Sequence, residues 1–253
     1  VFHLSLYSKA PPAAAFTLAD VPAVADPAIT LVNGHPLFER PISLINWYAV
    51  GAADITRVVL NTPKVRVTAQ PNLRPYDAAA APTSRQFLPA YWRNPLRLLP
   101  VEENQMLMSA SAGTGAAYLV AAWFGDNPAP PPQGDILTAH GSIASLTTSA
   151  LTWGSGVFTL DTPLPAGKYA VLGMDAAATG LAFGRLIFPE QQWRPGAICG
   201  AAATFVQPQC FRLGQMGVWG QFASYAQPQF EAFSVAGLAA AAVDIYLDLL
   251  RIG

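Results

Sequence analysis

A chain of 253 residues with 52% hydrophobic and only 11% charged side chains lies far below the roughly 25% charge of ordinary soluble domains, so much of its exterior needs cover from other protein surface. Its net charge of −1, with the basic residues scattered along the chain, excludes an electrostatic footprint for nucleic acid and hence direct genome binding. The most apolar late run, residues 235–243, is far short of the ~20 residues of a membrane helix, so no bilayer span is expected.

The N-terminal VFHLSLYSKAPP alternates Phe2, Leu4 and Leu6 with His3, Ser5 and Tyr7, a strand pattern without the charged start and long apolar core of an export signal. From there 20 glycines and 23 prolines break the chain into short β-branched, aromatic or aliphatic runs, the texture of an all-β protein. Strands are predicted near 2–7, 28–32, 42–50, 55–60, 64–69, 96–99, 105–111 and 116–124. Of these, Lys64 to Thr68 alternates most cleanly, with Val65 and Val67 on the inner face. Residues 70–95, QPNLRPYDAAAAPTSRQFLPAYWRNP, read as a long irregular loop reaching a neighbour.

Residues 127–134, with four prolines in eight positions, can neither donate a hydrogen-bond ladder nor form a helix. They are read as a linker between an N-terminal barrel, 1–126, and a C-terminal one, 135–253. Strands resume near 141–149, 157–161, 168–174, 181–188, 202–206, 209–213, 217–224, 229–235 and 243–251. The last places Val243, Ile245, Leu247 and Leu249 on one face and Asp244, Tyr246 and Asp248 on the other. A helix over 236–250 is the alternative, since alanine is abundant there.

An internal likeness links residues 99–118 to 164–183. Leu99-Pro100 matches Leu164-Pro165, Thr114-Gly115 matches Thr179-Gly180, and Tyr118 matches Phe183. Each copy reads as a β-hairpin with a glycine turn.

Chemistry-bearing motifs are sparse. His3, His35 and His140 lie outside metal-ligand spacing of one another and of the cysteines. Gly113-Thr-Gly115 and Gly154-Ser-Gly156 read as turns rather than phosphate loops. Glu102 and Glu103 are expected to face solvent. Asp20, Asp26, Asp126 and Asp135 are calcium candidates without the dense spacing of a dedicated loop, and no other cofactor is expected. Cys199 and Cys210 are read as two buried thiols, with a disulfide as the alternative. No enzyme activity is expected.

Trp193-Arg194-Pro195-Gly196 forms a predicted turn with indole and guanidinium side by side. It is either a subunit anchor, as Trp and Arg favour interfaces, or a lid over the barrel end with Arg194 stacked on the ring. Tyr91 and Trp92 join it as candidate interface residues. Trp219, Phe222, Tyr225 and Phe230 carry the same ambiguity.

Two runs of about eight short strands, a proline-rich linker and a charge-poor surface resemble the double jelly-roll major capsid proteins of tailless icosahedral, membrane-containing bacteriophages. The resemblance spans the chain but rests on size, strand count, linker and composition, so it transfers no functional residue. It implies two upright barrels per chain and trimers forming pseudo-hexagonal capsomers. It also implies a virion location after cytoplasmic synthesis, contacts with other virion proteins, and a shell around an internal viral membrane. A single barrel with an elaborated N-terminal region is the alternative fold. The alternative function is a jelly-roll carbohydrate-binding module or lectin, and a cupin-type enzyme ranks third.

Overall fold

The computed structural model describes residues 2–9, 17–51, 55–68, 71–73, 76–77, 95–110, 118–126, 133–200 and 209–253, and among them the protein is all-β. The described residues fall into two units. The described residues between 5 and 125 form the N-terminal one, while those from 126 to 253 together with residues 2–4 form the C-terminal one. Residues 2–4, expected in the first barrel, therefore cluster with the second half of the chain.

The elements of the N-terminal unit are β1 (Phe2–Lys9), of which Ser5 onward belongs to it, β2 (Ala19–Val21), β3 (Thr30–Val32), β4 (His35–Leu37), β5 (Ile42–Gly51), β6 (Ile55–Asn61), α1 (Pro63–Thr68), β7 (Asn72–Leu73), β8 (Tyr76–Asp77), β9 (Leu96–Leu98), β10 (Gln105–Ala110) and β11 (Tyr118–Gly125). One sheet runs β1-β11-β5-β8 with β9 also on β5, a second runs β2-β10-β6-β7, and β3 pairs with β4 alone. β5 is antiparallel to β11 and β9 and meets β8 in a two-residue parallel contact. Leu119 to Phe124 are buried on both faces of β11, which explains their nearly unbroken apolar run.

The stretch Lys64 to Thr68 is a correction, because the cleanest predicted strand is the helix α1. Its start carries the reason. Thr62 caps it by accepting the Val65 amide on Oγ1 (3.3 Å), and Pro63 supplies a first-turn residue with a preset φ and no amide to satisfy. Glu102, expected in solvent, is buried instead. Its carboxylate accepts the Lys64 amide at 3.0 Å and the Leu99 amide at 3.3 Å, so it serves the helix start.

The C-terminal unit contains β12 (Ile136–Thr148), β13 (Trp153–Gly156), β14 (Thr159–Leu160), β15 (Lys168–Ala177), β16 (Phe183–Ile187), β17 (Gly196–Ile198), a 3-10 turn (Gln209–Phe211), β18 (Gly220–Ala223), β19 (Gln229–Phe233) and β20 (Leu238–Arg251). The 3-10 turn replaces the strand predicted at 209–213, and the one predicted at 202–206 lies outside the described residues. The sheets run β14-β12-β20-β15-β18 and β13-β19-β16-β17. β20 is a strand, not a helix: Val243, Ile245, Leu247 and Leu249 are all buried while Asp244 and Tyr246 are exposed, as a period of two requires.

Among the described residues each unit can be counted as eight strands once β3, β4, β9 and β14 are set aside as additions. Both then place strands one, eight, three and six side by side in one sheet and two, seven, four and five in the other.

The repeated Leu-Pro…Thr-Gly segments are not hairpins. β10 and β11 belong to different sheets, and so do β15 and β16. Gly180, at a φ of +83°, turns the chain from one sheet to the other rather than back along its neighbour. The first copy lies between strands seven and eight of its unit and the second between three and four of the other, so the two do not occupy equivalent positions. Of residues 70–95, the described part is Pro71, β7, β8 and Pro95.

Candidate functional site

Strand periodicity puts Thr138, His140 and Ser142 of β12 on one face of their sheet, opposite Asp248, Tyr246 and Asp244 of β20. These in turn lie opposite Gly173, Asp175 and Ala177 of β15. The result is a polar surface of three strands. At one end the His140 ring contacts the Asp161 carboxylate through Nδ1, stands 3.8 Å from Asp244 through Nε2, and packs against Tyr246 with ring centroids 4.6 Å apart.

At the other end Asp248 is fully buried, although its strand position faces outward. Arg212 explains this. Its Nε and Nη2 donate to the two Asp248 oxygens at 2.7 and 2.8 Å, the Leu213 amide adds a bond of 2.9 Å, and Thr138 Oγ1 adds one of 3.0 Å. A Cβ on Gly173 would come within 2.7 Å of the Arg212 Cα and of the Asp248 carboxylate, so only glycine lets the turn approach this closely. Arg212 Nη1 also lies 3.6 Å from Asp175.

These contacts set the titration. Burial pushes the Asp248 carboxyl up, but the hydrogen bonds from Arg212, the Leu213 amide and Thr138 prevail and hold it below the ordinary value. Burial raises Asp175, with the nearby Asp248 charge adding to the rise and Arg212 opposing it. Arg212 is raised in turn by its bonds to Asp248. Such a charge cluster pins a turn onto a sheet.

Trp193 is buried at 8% exposure and its carbonyl accepts Gln191 Nε2 at 2.9 Å. Arg194 does not bring its guanidinium to the indole. Its Nη1 bonds Glu231 at 2.6 Å, and the arginine over an indole is Arg185, whose Cζ stands 3.9 Å from the Trp153 ring centroid. Arg185, itself fully buried, shares Glu231 through Nε at 2.6 Å and reaches the Leu4 carbonyl at 3.4 Å. The Leu4 amide donates to the Arg194 carbonyl at 3.1 Å, and the Arg194 amide to His3 Nδ1 at 3.1 Å. The predicted Trp-Arg turn thus holds residues 3 and 4. Tyr91 and Trp92 lie outside the described residues.

Among the described residues no three His, Cys, Asp or Glu side chains gather as a metal-binding group. Of the calcium candidates, Asp20 pairs with His35 at 3.1 Å, Asp26 accepts the Ala28 amide at 2.9 Å, and Asp135 is exposed. Cys199 and Cys210 are free thiols. Trp219, Phe222 and Phe230 are buried, whereas Tyr225 is 92% exposed. No described helix is long and apolar enough to cross a membrane.

No family model, curated protein or solved structure matches the chain.

Proposed function

We propose that the chain is a self-assembling coat protein made of two jelly rolls in tandem, forming trimers that tile an icosahedral shell. The strand order carries the reading. Winding a chain of eight strands into two Greek keys leaves strands one, eight, three and six in one sheet and two, seven, four and five in the other, and both units have that order. Two sets of sheets favour the tandem arrangement over a single barrel.

The surface agrees with a life in contact with copies of itself. Charged residues are scarce, and Leu99 (51%), Val101 (66%) and Val157 (72%) are exposed. Val101 also holds a φ of +60°, which a β-branched residue adopts only at a cost, so this apolar tip is a fixed feature. In this reading the partners are sister chains, other virion proteins and an internal viral membrane, with no cofactor, no catalysis and no direct contact with nucleic acid.

Light scattering on the purified chain, followed by electron microscopy, tests the proposal. Trimers or closed particles are expected. A fully soluble monomer at high protein concentration and moderate salt would overturn it and return the advantage to a lectin-like module.

A further inference from the structure

We propose that a cleft beside β18 binds one pyranose ring of an uncharged saccharide, with Tyr225 as its platform. The site is distinct from the polar face around Asp248, and it requires no assembly of the chain.

Its walls are two pinned turns. In the first, the Gln191 amide closes on the Phe188 carbonyl at 3.2 Å, while Gln191 Nε2 donates to the carbonyls of Trp193 and Trp219 at 2.9 and 3.1 Å. That leaves Pro189 and Glu190 at the turn's outer corner. In the second, the Ala226 amide closes on the Ala223 carbonyl at 2.8 Å and the Ser224 amide bonds the Gly167 carbonyl at 2.9 Å. The Gly167 amide returns a bond to Ser224 Oγ at 3.3 Å. Tyr225 therefore sits at the tip of a turn whose ends cannot retreat.

Gln221 and Phe222 of β18 and Lys168 of β15 complete the lining, and Phe222 itself is buried. The cleft measures about 200 Å³, below the roughly 300–1,000 Å³ of pockets that engulf a drug-sized ligand. It suits a single ring held from one side.

The chemistry selects the ligand. An aromatic ring left 92% in water on a turn held by backbone bonds offers a flat apolar face, with two side-chain torsions to order on binding. The C–H face of a pyranose matches such a surface. Its hydroxyls are each donor and acceptor, as the mixed set beside Tyr225 demands: Glu190 accepts, Lys168 donates and Gln221 does both. One carboxylate and one ammonium balance, so the cleft has no net charge with which to favour an acidic sugar. A shallow site of this kind binds weakly, and repetition over an assembly would multiply the effect through avidity.

Saturation-transfer NMR on the full chain tests the inference, with glucose, galactose, mannose and N-acetylglucosamine as neutral probes and glucuronic acid as the charged control, each at up to tens of millimolar. Transfer to the ring protons of at least one neutral probe is expected, with a millimolar dissociation constant. Tyr225→Phe should retain it. Tyr225→Ala should weaken it by about 10-fold or more, and Glu190→Gln should weaken it as well. No transfer from any neutral sugar, equal transfer in the Tyr225→Ala protein, or transfer from glucuronic acid alone would each overturn it. Because the signal is read on the chain as purified, its loss is separable from a failure to assemble.

Discussion

Two charge clusters in the C-terminal unit solve one problem with opposite stoichiometry. On β16 and β19 a single carboxylate, Glu231, lies between two guanidiniums, Arg185 and Arg194. Above β15 and β20 a single guanidinium, Arg212, lies between two carboxylates, Asp248 and Asp175. In the first, the shared partner is nearly buried, Arg185 is fully buried and Arg194 is 15% exposed, so its loss takes one counter-charge from two cations at once. In the second, the shared partner is a quarter exposed, and one of its carboxylates is more a burden than a support.

The largest expected effect is therefore at Glu231. Glu231→Ala removes a carboxylate bonded to Arg185, which is fully buried against Trp153. Breaking a buried pair from one side costs about 3–5 kcal/mol, so thermal unfolding should show a fall in Tm of about 10 °C. A fall of a degree or two would mean that Arg185 is held by packing rather than by charge.

Asp248→Asn should cost less, about 2–3 kcal/mol, because Arg212 can turn toward solvent. Its marker is local. The Leu213 amide, which donates to Asp248, and the Gly214 amide, which donates to Leu172, should exchange with solvent much faster in the variant. Unchanged exchange would show the turn to be fixed without the carboxylate.

Asp175 gives a smaller effect of the opposite sign. Asp248, held below the ordinary 3.8, contributes stability that is fully present above that value and lost as the pH falls through its lowered native value. Asp175 is raised above 3.8, so between those limits the folded chain holds the extra proton. Stability from this group therefore grows as the pH falls through that window, and ionised Asp175 is a cost at neutral pH. Asp175→Asn should raise Tm at pH 7 by about 2 °C or less and leave it unchanged below pH 3.8. A clear loss at pH 7 would make its attraction to Arg212 the dominant interaction.

These clusters were only partly legible in the sequence. The alternation in β20 identified its buried face and put Asp248 on the other, but it could not show that Asp248 is covered there, because the residue that covers it lies 36 positions earlier. Equally regular alternation at Lys64 to Thr68 belongs to a helix. Over five residues the hydrophobic period cannot separate the two states, although Thr62-Pro63 was a readable helix start. Thr179-Gly180 of the second Leu-Pro…Thr-Gly segment is a turn as expected, Thr114-Gly115 of the first lies outside the described residues, and the hairpin pairing was wrong for both, since a glycine turn does not specify which sheet receives the next strand. The turn expected over Trp193 to Gly196 closes earlier, with the Gln191 amide on the Phe188 carbonyl, and Gly196 already begins β17; Glu231, the ionic partner of Arg194, comes from a distant strand. Tyr225 carried a turn signal in Ser-Tyr-Ala-Gln-Pro, and only the pinned ends of that turn explain its exposure.

The mildest test of the contrast uses Cys210 as a reporter, and it perturbs nothing until alkylation. Cys210 lies in the 3-10 turn immediately before Arg212, and burial pushes its thiol up to about 12. The reactive species is the thiolate, so at pH 8 the native chain should react with iodoacetamide far more slowly than a model thiol of pKa ≈ 8.5. Asp248→Asn frees the turn from the sheet, and opening it returns the thiol toward that ordinary value, so mass spectrometry should show faster labelling of Cys210. Glu231→Ala acts on the other sheet, so at temperatures well below its lowered Tm it should leave that rate near wild type. Equal acceleration in both variants would mean that the two clusters guard one cooperative unit, and that their opposite stoichiometries have no separate local consequence.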